Sequence, residues 1–402
     1  MTDSPSLPTE SSADSPFSTT LKILPAVFFT FVCYLTIGIP LAVLPTYAHL
    51  QLGYGTVLAG LVISAQYIST VLSRPRAGHM IDHLGPKRVV IYGIFACAAS
   101  GLCNFFASFF TPSPAVALGL ILLGRLVLGV GESMVGTGAS IWGIGRAGSQ
   151  HIAKVISWNG VATFGALSVG APFGVFLLQR WGLASVGLLT CLLAIFSVAL
   201  AARVPRIPVS APRHLPFAHV FWKVAPHGTA LALGGMGFGV LATFITLYFA
   251  QLHWTGAAFT LSIYGIAFIC TRLLFVGLIP RLGGFPVAIV SLFVEIFGLL
   301  LLGFARVPSA AFAAAALIGF GFSLVFPALG VEAVRLLPVE NRGTALGTYN
   351  LFIDLSLFLA GPLAGAIISH SGYRSAFLSC AAGVFFAFCL TLFLASRSRN
   401  PA

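Results

Sequence analysis

Twelve apolar runs follow one another along this chain, and each is about as long as a helix must be to cross the hydrocarbon core of a bilayer, roughly 20 residues. They cover approximately 22–47, 55–75, 88–110, 114–143, 154–179 and 184–202, then 225–250, 256–279, 286–305, 309–336, 343–369 and 374–396. That pattern excludes most folds. A water-soluble surface is built from about 25% charged residues, and here Asp, Glu, Lys and Arg together make up 7% of 402. A transmembrane barrel would show strands of about ten residues with alternating polarity, whereas these runs are long and uniformly apolar. The expected fold class is an all-α membrane protein with twelve transmembrane helices.

Charge sets the expected orientation. With the N-terminus inside, sixteen Lys and Arg fall in cytoplasmic segments and only Arg180, Arg306 and Arg374 on the other side. This asymmetry is the positive-inside pattern and places both termini in the cytoplasm. Because the cations are dispersed into short loops, they form no basic face for nucleic acid. The seven cysteines lie within apolar runs without metal-ligand spacing, so they act as small apolar side chains. The histidines show neither an HExxH motif nor another ligand pair, and no Walker lysine motif is present. No metal, cofactor or ATP is therefore expected, and no enzymatic activity. Gly234-Gly-Met-Gly237-Phe-Gly239 has dinucleotide-type glycine spacing, but it lies in a membrane span without a preceding strand.

The polar, Ser/Thr/Pro-rich residues 1–21 lack the basic start and apolar core of a secretory signal and are expected to be a disordered cytoplasmic tail. Residues 203–223, with four prolines and four cations, read as a cytoplasmic linker. It separates a six-helix bundle at 22–202 from another at 224–396, before a short tail at 397–402. The halves repeat. Asn159, Pro172 and Gly182 in the first match Asn350, Pro362 and Gly372 in the second, with ten residues from Pro to Gly each time. Gly129-Val-Gly131-Glu-Ser133 matches Gly319-Phe-Gly321-Phe-Ser323. Two homologous bundles that rock about a site between them are a common architecture for transport.

Three motifs then carry a family resemblance. Gly78-x-Met80-x-Asp82-His83-x-Gly85-Pro86-Lys87-Arg88 resembles the signature between helices two and three of the major facilitator superfamily. Leu123-Gly-Arg125-Leu-Val-Leu-Gly129-Val-Gly131 resembles its helix-four motif, and Gly165 to Gly174, ending GAPFG, is similar to its antiporter-associated helix-five motif. The loop motif departs from the family's usual arginine at His83 and Pro86, and Ala171 interrupts the more common Gly-Pro. The lead-in Ser73-Arg74-Pro75 and the Gly131-Glu132-Ser133 triplet look most like a bacterial branch labelled arabinose-efflux-permease-like. The resemblance implies two pseudo-symmetric six-helix bundles in the bacterial inner membrane. It also implies that Asp82 latches the halves on the cytoplasmic side, pairing with nearby cations and the start of helix eleven. Gly78 and Gly85 allow close approach there, while the cytoplasmic cations Arg74, Arg76, Lys87 and Arg88 pin the turn to the membrane surface; a purely topological role for the stretch is the alternative.

Charge inside a span costs at least about 2.5–3.5 kcal/mol, so it should mark function. Arg125 and Glu132 stand seven residues apart on one helical face. Desolvation and a neighbouring cation act on a carboxyl group in opposite senses, and their balance can bring titration near working pH. Glu132 is therefore the candidate proton carrier and Arg125 the cation that tunes it; a permanently paired structural Arg and Glu is the alternative. Asp354, one turn beyond Asn350, could bind a proton or a cationic solute, or serve as a structural partner for Arg272. Asn159, Asn350 and Arg272 are the remaining candidates for lining a central cavity. Glu295 falls in an outer helix by the resemblance, and Glu332 beside Arg335 reads as an interfacial pair. Gly165, Gly170 and Gly174 with Pro172 suit close packing and a bend, which the resemblance links to sealing against leak.

The expected function is secondary transport, with a monomer exporting a small organic molecule in exchange for protons. Uptake by a symporter or facilitator is the alternative. A receptor or intramembrane enzyme would show a signalling domain or a catalytic constellation, and neither is visible.

Overall fold

A backbone surrounded by lipid must satisfy its own hydrogen bonds, and within one segment only a helix does so. The computed structural model describes residues 16–148, 151–207, 217–337 and 342–399. Helix α1 (Pro16–Leu41) continues through a short helix and a π-turn to Gln51, followed by α2 (Thr56–Leu84), α3 (Pro86–Ala107) and α4 (Pro114–Ala147). The helical run Ile152–Arg203 is folded at Gly182 (φ 74°, ψ −176°) into α5 (152–181) and α6 (183–203). The second half repeats the plan with α7 (Phe217–Gln251), α8 (Ala257–Phe275), α9 (Gly284–Gly303) and α10 (Pro308–Arg335). Its last run, Arg342–Arg399, is folded at Gly372 (φ 79°, ψ 172°) into α11 (342–371) and α12 (373–399). Among the described residues ten helices are long and apolar enough to cross a membrane; the two folded at Gly182 and Gly372 are each long enough for two crossings, which matches the expected twelve.

The matched glycines are required by geometry. Positive φ with extended ψ is a region that side-chain-bearing residues essentially avoid, and it reverses the chain at 182 and at 372 without a loop. A Cβ at either position would meet nothing within 4 Å, so the penalty of substitution is purely conformational. Gly182→Ala and Gly372→Ala are each expected to cost about 1–3 kcal/mol. A lowered melting temperature of the purified protein checks this; unchanged melting would contradict it.

Three boundaries differ from expectation. The first helix begins at Pro16, so 16–21 are helical rather than tail; the rest of the expected tail lies outside the described residues. Helix α7 begins at Phe217 inside the expected linker, of which 208–216 lie outside the described residues. The stretch Ser73–Leu84, expected to lead out of a span ending near 75, is helix throughout, and only Gly85 forms the joint to α3. A helix can leave the hydrocarbon still hydrogen-bonded, with its basic side chains reaching for water. Polarity therefore marks the membrane boundary and not the end of the helix.

Because crossings alternate, both ends of the described chain lie on one face, here the terminal face. Within each half, glycines bring helices into backbone contact. Gly93 of α3 abuts Gly131 of α4, and Gly321 of α10 abuts Ser291 and Glu295 of α9. Between the halves, α2 packs along α11 and α5 along α8. Thr56 Oγ1 donates to the Gly365 carbonyl at 2.9 Å, Ser64 Oγ donates to the Leu357 carbonyl at 3.1 Å, and Ser262 Oγ of α8 donates to the Ser168 carbonyl of α5 at 2.6 Å. Thr46, past α1, reaches Thr246 of α7 at 3.0 Å. These contacts join the halves toward the face opposite the termini.

Candidate functional site

Helix α2 carries Gln66, Thr70 and Arg74 at every fourth position, which places them on one helical face. That face looks toward two carboxylates from different halves. Gln66 Nε2 donates to Glu132 Oε2 of α4 at 2.6 Å, and Thr70 Oγ1 donates to the same oxygen at 3.1 Å. One to two turns further, Arg74 grips Asp354 of α11 in a bidentate pair, through Nε to Oδ2 and Nη2 to Oδ1, the latter at 3.0 Å. The pair spans 280 residues of sequence and bridges the halves. Asp354 is 4% exposed and Arg74 18%. Tyr34 of α1 lies within electrostatic reach of Glu132, Arg74 and Asp354, which brings a fourth helix to the cluster.

Arg125 is fully buried two turns before Glu132 on α4. Its Nη2 makes a long contact, 3.5 Å, with the Ile63 carbonyl, while Nε and Nη1 have no hydrogen-bond partner. The alternative of a directly paired Arg125 and Glu132 is not what the geometry shows, since Gln66 and Thr70 hold Glu132; Arg125 stays within electrostatic reach of that carboxylate, as a tuning cation would. Arg272 differs in the same way. Its Nη2 donates to the Ser323 carbonyl at 2.6 Å and its guanidinium lies 5.0 Å from the Phe268 ring, so it is not the partner of Asp354. Gly160 makes room for it across the α5–α8 contact, where a Cβ would lie 2.9 Å from Nη1.

The other candidates scatter around this cluster. Asn159 accepts from Thr30 Oγ1 at 2.9 Å and donates to Ser140 Oγ at 3.1 Å, tying α5 to α1 and α4. Asn350 is half-buried on α11. Gly165 borders Ile269, while Gly170 and Gly174 lie against the α1 backbone at Gly38 and Ile39, so the Pro172 segment is clamped to α1. At the terminal end of α2, Gly85 (φ 81°) makes the joint to α3 and Gly78 borders open space. Lys87 Nζ caps α6 within its own half through the carbonyls of Ala202 and Val204 at 2.8 and 2.7 Å. Arg88 is exposed and Asp82 half-buried; α11, whose start is the expected receiver of Asp82, begins at Arg342. Glu332 pairs with Arg335 at 3.2 Å and also accepts the Gly284 amide at 2.8 Å. Glu295 is buried in α9, and both its oxygens lack a hydrogen-bond partner.

Two glycines on the terminal side of the cluster have unfilled surroundings. Gly136 lies one turn past Glu132, and Gly347 two turns before Asp354. A methyl group at either would meet nothing within 4 Å. The carboxylates sit on the terminal side of the contacts that join the halves. Sequence reasoning missed Arg74, which it grouped with the loop cations, and Gln66 and Thr70; their four-residue spacing in an apolar span was the available signal.

Comparisons with known proteins agree with this architecture. The sequence profile described as Major Facilitator Superfamily matches residues 26–294 and 228–402. An uncharacterized MFS-type transporter of Pseudomonas aeruginosa (strain UCBPP-PA14) is 54% identical over 397 residues, covering 99% of this chain and 98% of its own length. One from Burkholderia pseudomallei (strain K96243) is 52% identical over 368 residues, covering 92% and 90%. Among solved structures, a point mutant of the nucleoside transporter NupG aligns with a TM-score of 0.73 at 17% identity, covering 93% of this chain and 99% of its own. The D-xylose-proton symporter aligns with a TM-score of 0.73 at 14% identity, covering 93% and 97%.

Proposed function

The chain belongs to the major facilitator superfamily and is a membrane transporter, and from that premise we propose that it exports a small organic solute across the bacterial inner membrane in exchange for protons. The observation that carries the proposal is the bridge from Arg74 in one half to Asp354 in the other, beside Glu132. A proton on Asp354 removes the charge that holds the bridge, so protonation and separation of the halves become linked. Glu132, held by Gln66 and Thr70 rather than by a cation, is the second proton carrier. The glycine-lined contact of α5 with α1 supports the antiporter direction by its sequence. The excess of cations on the terminal face supports cytoplasmic termini, and the protein works as a monomer with its two halves.

Glu132→Gln keeps the hydrogen-bonding shape of a protonated acid but cannot release a proton. In everted vesicles energised by respiration, the wild-type chain should accumulate a solute first identified by thermal-shift screening, and an uncoupler should abolish that accumulation. The Gln variant should fold and bind the solute yet lose proton-driven accumulation by at least tenfold, about 1.4 kcal/mol of coupling. Normal accumulation by Glu132→Gln would remove it from the mechanism. Reporter fusions check orientation: activity from cytoplasmic reporters is expected at both chain ends, and opposite locations for the ends would overturn the topology.

A second arrangement has its own support in the pair. An anionic solute could take Arg74 from Asp354, leaving the carboxylate to be protonated, so that proton and solute would travel together. Solute-driven acidification of the vesicle interior, in place of alkalinisation, would favour this symport.

A further inference from the structure

The terminal turns of α2 hold a pair of imidazoles that spacing along the sequence does not single out. His79 and His83 are four residues apart on one helical face, both exposed, and their Nε2 atoms approach to 3.1 Å with ring centroids 4.3 Å apart. Two nitrogens bound to one zinc-type ion at about 2.0–2.1 Å lie roughly 2.9 Å apart at a right angle and roughly 3.3 Å apart at a tetrahedral one. The observed separation falls between these values. The pair therefore already has the bite of a chelate.

We propose that His79 and His83 form a two-histidine site for one divalent transition-metal ion, of the Ni(II), Cu(II) or Zn(II) class, on the terminal face of α2. Imidazole suits these ions, and Mg(II) or Ca(II) would be refused for want of oxygen ligands. Without metal, one Nε2–H donates to the other Nε2. On binding, that proton passes through solvent to Nδ1 of the same ring, so both Nε2 lone pairs face the ion and no net proton is released. Among the described residues no group of three or more His, Cys, Asp or Glu converges on a metal position, so water completes the coordination. The ion staples the last turns of α2 beside the Gly85 joint. The site is independent of the transport reading, since neither imidazole belongs to the Glu132–Asp354 cluster.

The test is isothermal titration of NiCl2 into the full chain, purified in detergent at neutral pH with any affinity tag removed. One ion per chain is expected, and His79→Gln and His83→Gln should each weaken binding by at least tenfold. Both side chains are exposed, so the melting temperature without metal should be unchanged in each variant. Cu(II) electron paramagnetic resonance should show two imidazole nitrogens in the wild-type chain and one in each single variant. No binding by the wild-type chain, a loss in only one of the variants, or full binding by the double variant would each overturn the site.

Discussion

Arg74→Ala is expected to abolish transport and to lower the stability of the folded protein by about 3–5 kcal/mol, the usual effect of removing one partner from a buried ion pair. The loss comes from what remains. Asp354 is 4% exposed, and without the guanidinium its carboxylate faces the interior with no cation to answer it. Taking both partners away should hurt less. Arg74→Ala combined with Asp354→Ala leaves no orphaned charge, so most of the stability should return while transport stays absent. Denaturation of the four proteins in detergent gives the coupling energy directly. If the single variant loses less than about 1 kcal/mol, the range measured for exposed pairs, the bridge is not holding the halves together.

Gly60→Val should have the second large effect, acting on the balance of states more than on folding. Its Cβ would stand 2.5 Å from the Gly361 carbonyl oxygen and 3.1 Å from the Gly361 Cα. Both are backbone atoms of α11, which cannot rotate away, so the helices must separate. Overpacking of this kind costs about 1–3 kcal/mol. The penalty falls only on the arrangement in which α2 and α11 touch, so the population of that state should drop by roughly tenfold to a hundredfold. Transport should fall with it. A cysteine placed at Thr46, which meets Thr246 across the same side, should become more reactive toward a water-soluble thiol reagent in the Gly60→Val background. Unchanged reactivity together with normal transport would show that the contact does not act as a gate.

The architecture was readable from the sequence because the bilayer imposes a length on every crossing. The repeat was readable because Gly182 and Gly372 need a conformation that only glycine takes freely. The site was read less well, for a physical reason. Spacing along one helix identifies a shared face, as with Arg125 and Glu132, but it says nothing about which neighbouring helix will present a closer partner. Glu132 is satisfied from α2, and Asp354 takes a cation from the other half of the chain. Arg74 was hidden by its surroundings in sequence, since a cation near the end of an apolar run looks like an anchor until the helix is seen to continue past it. His79 and His83 were overlooked on the same assumption, because a ligand pair four residues apart has meaning only if the intervening residues are helical.

The one-residue joints at Gly182 and Gly372 leave no slack between an inner helix and its outward neighbour. When α5 or α11 leans during a cycle, α6 or α12 must be carried along, and both outer helices present bulky apolar side chains such as Phe196 and Phe393 to the surroundings. Any tilt of α5 or α11 would therefore drag these side chains through the annular lipid, and the thickness and fluidity of the host bilayer would set part of its rate.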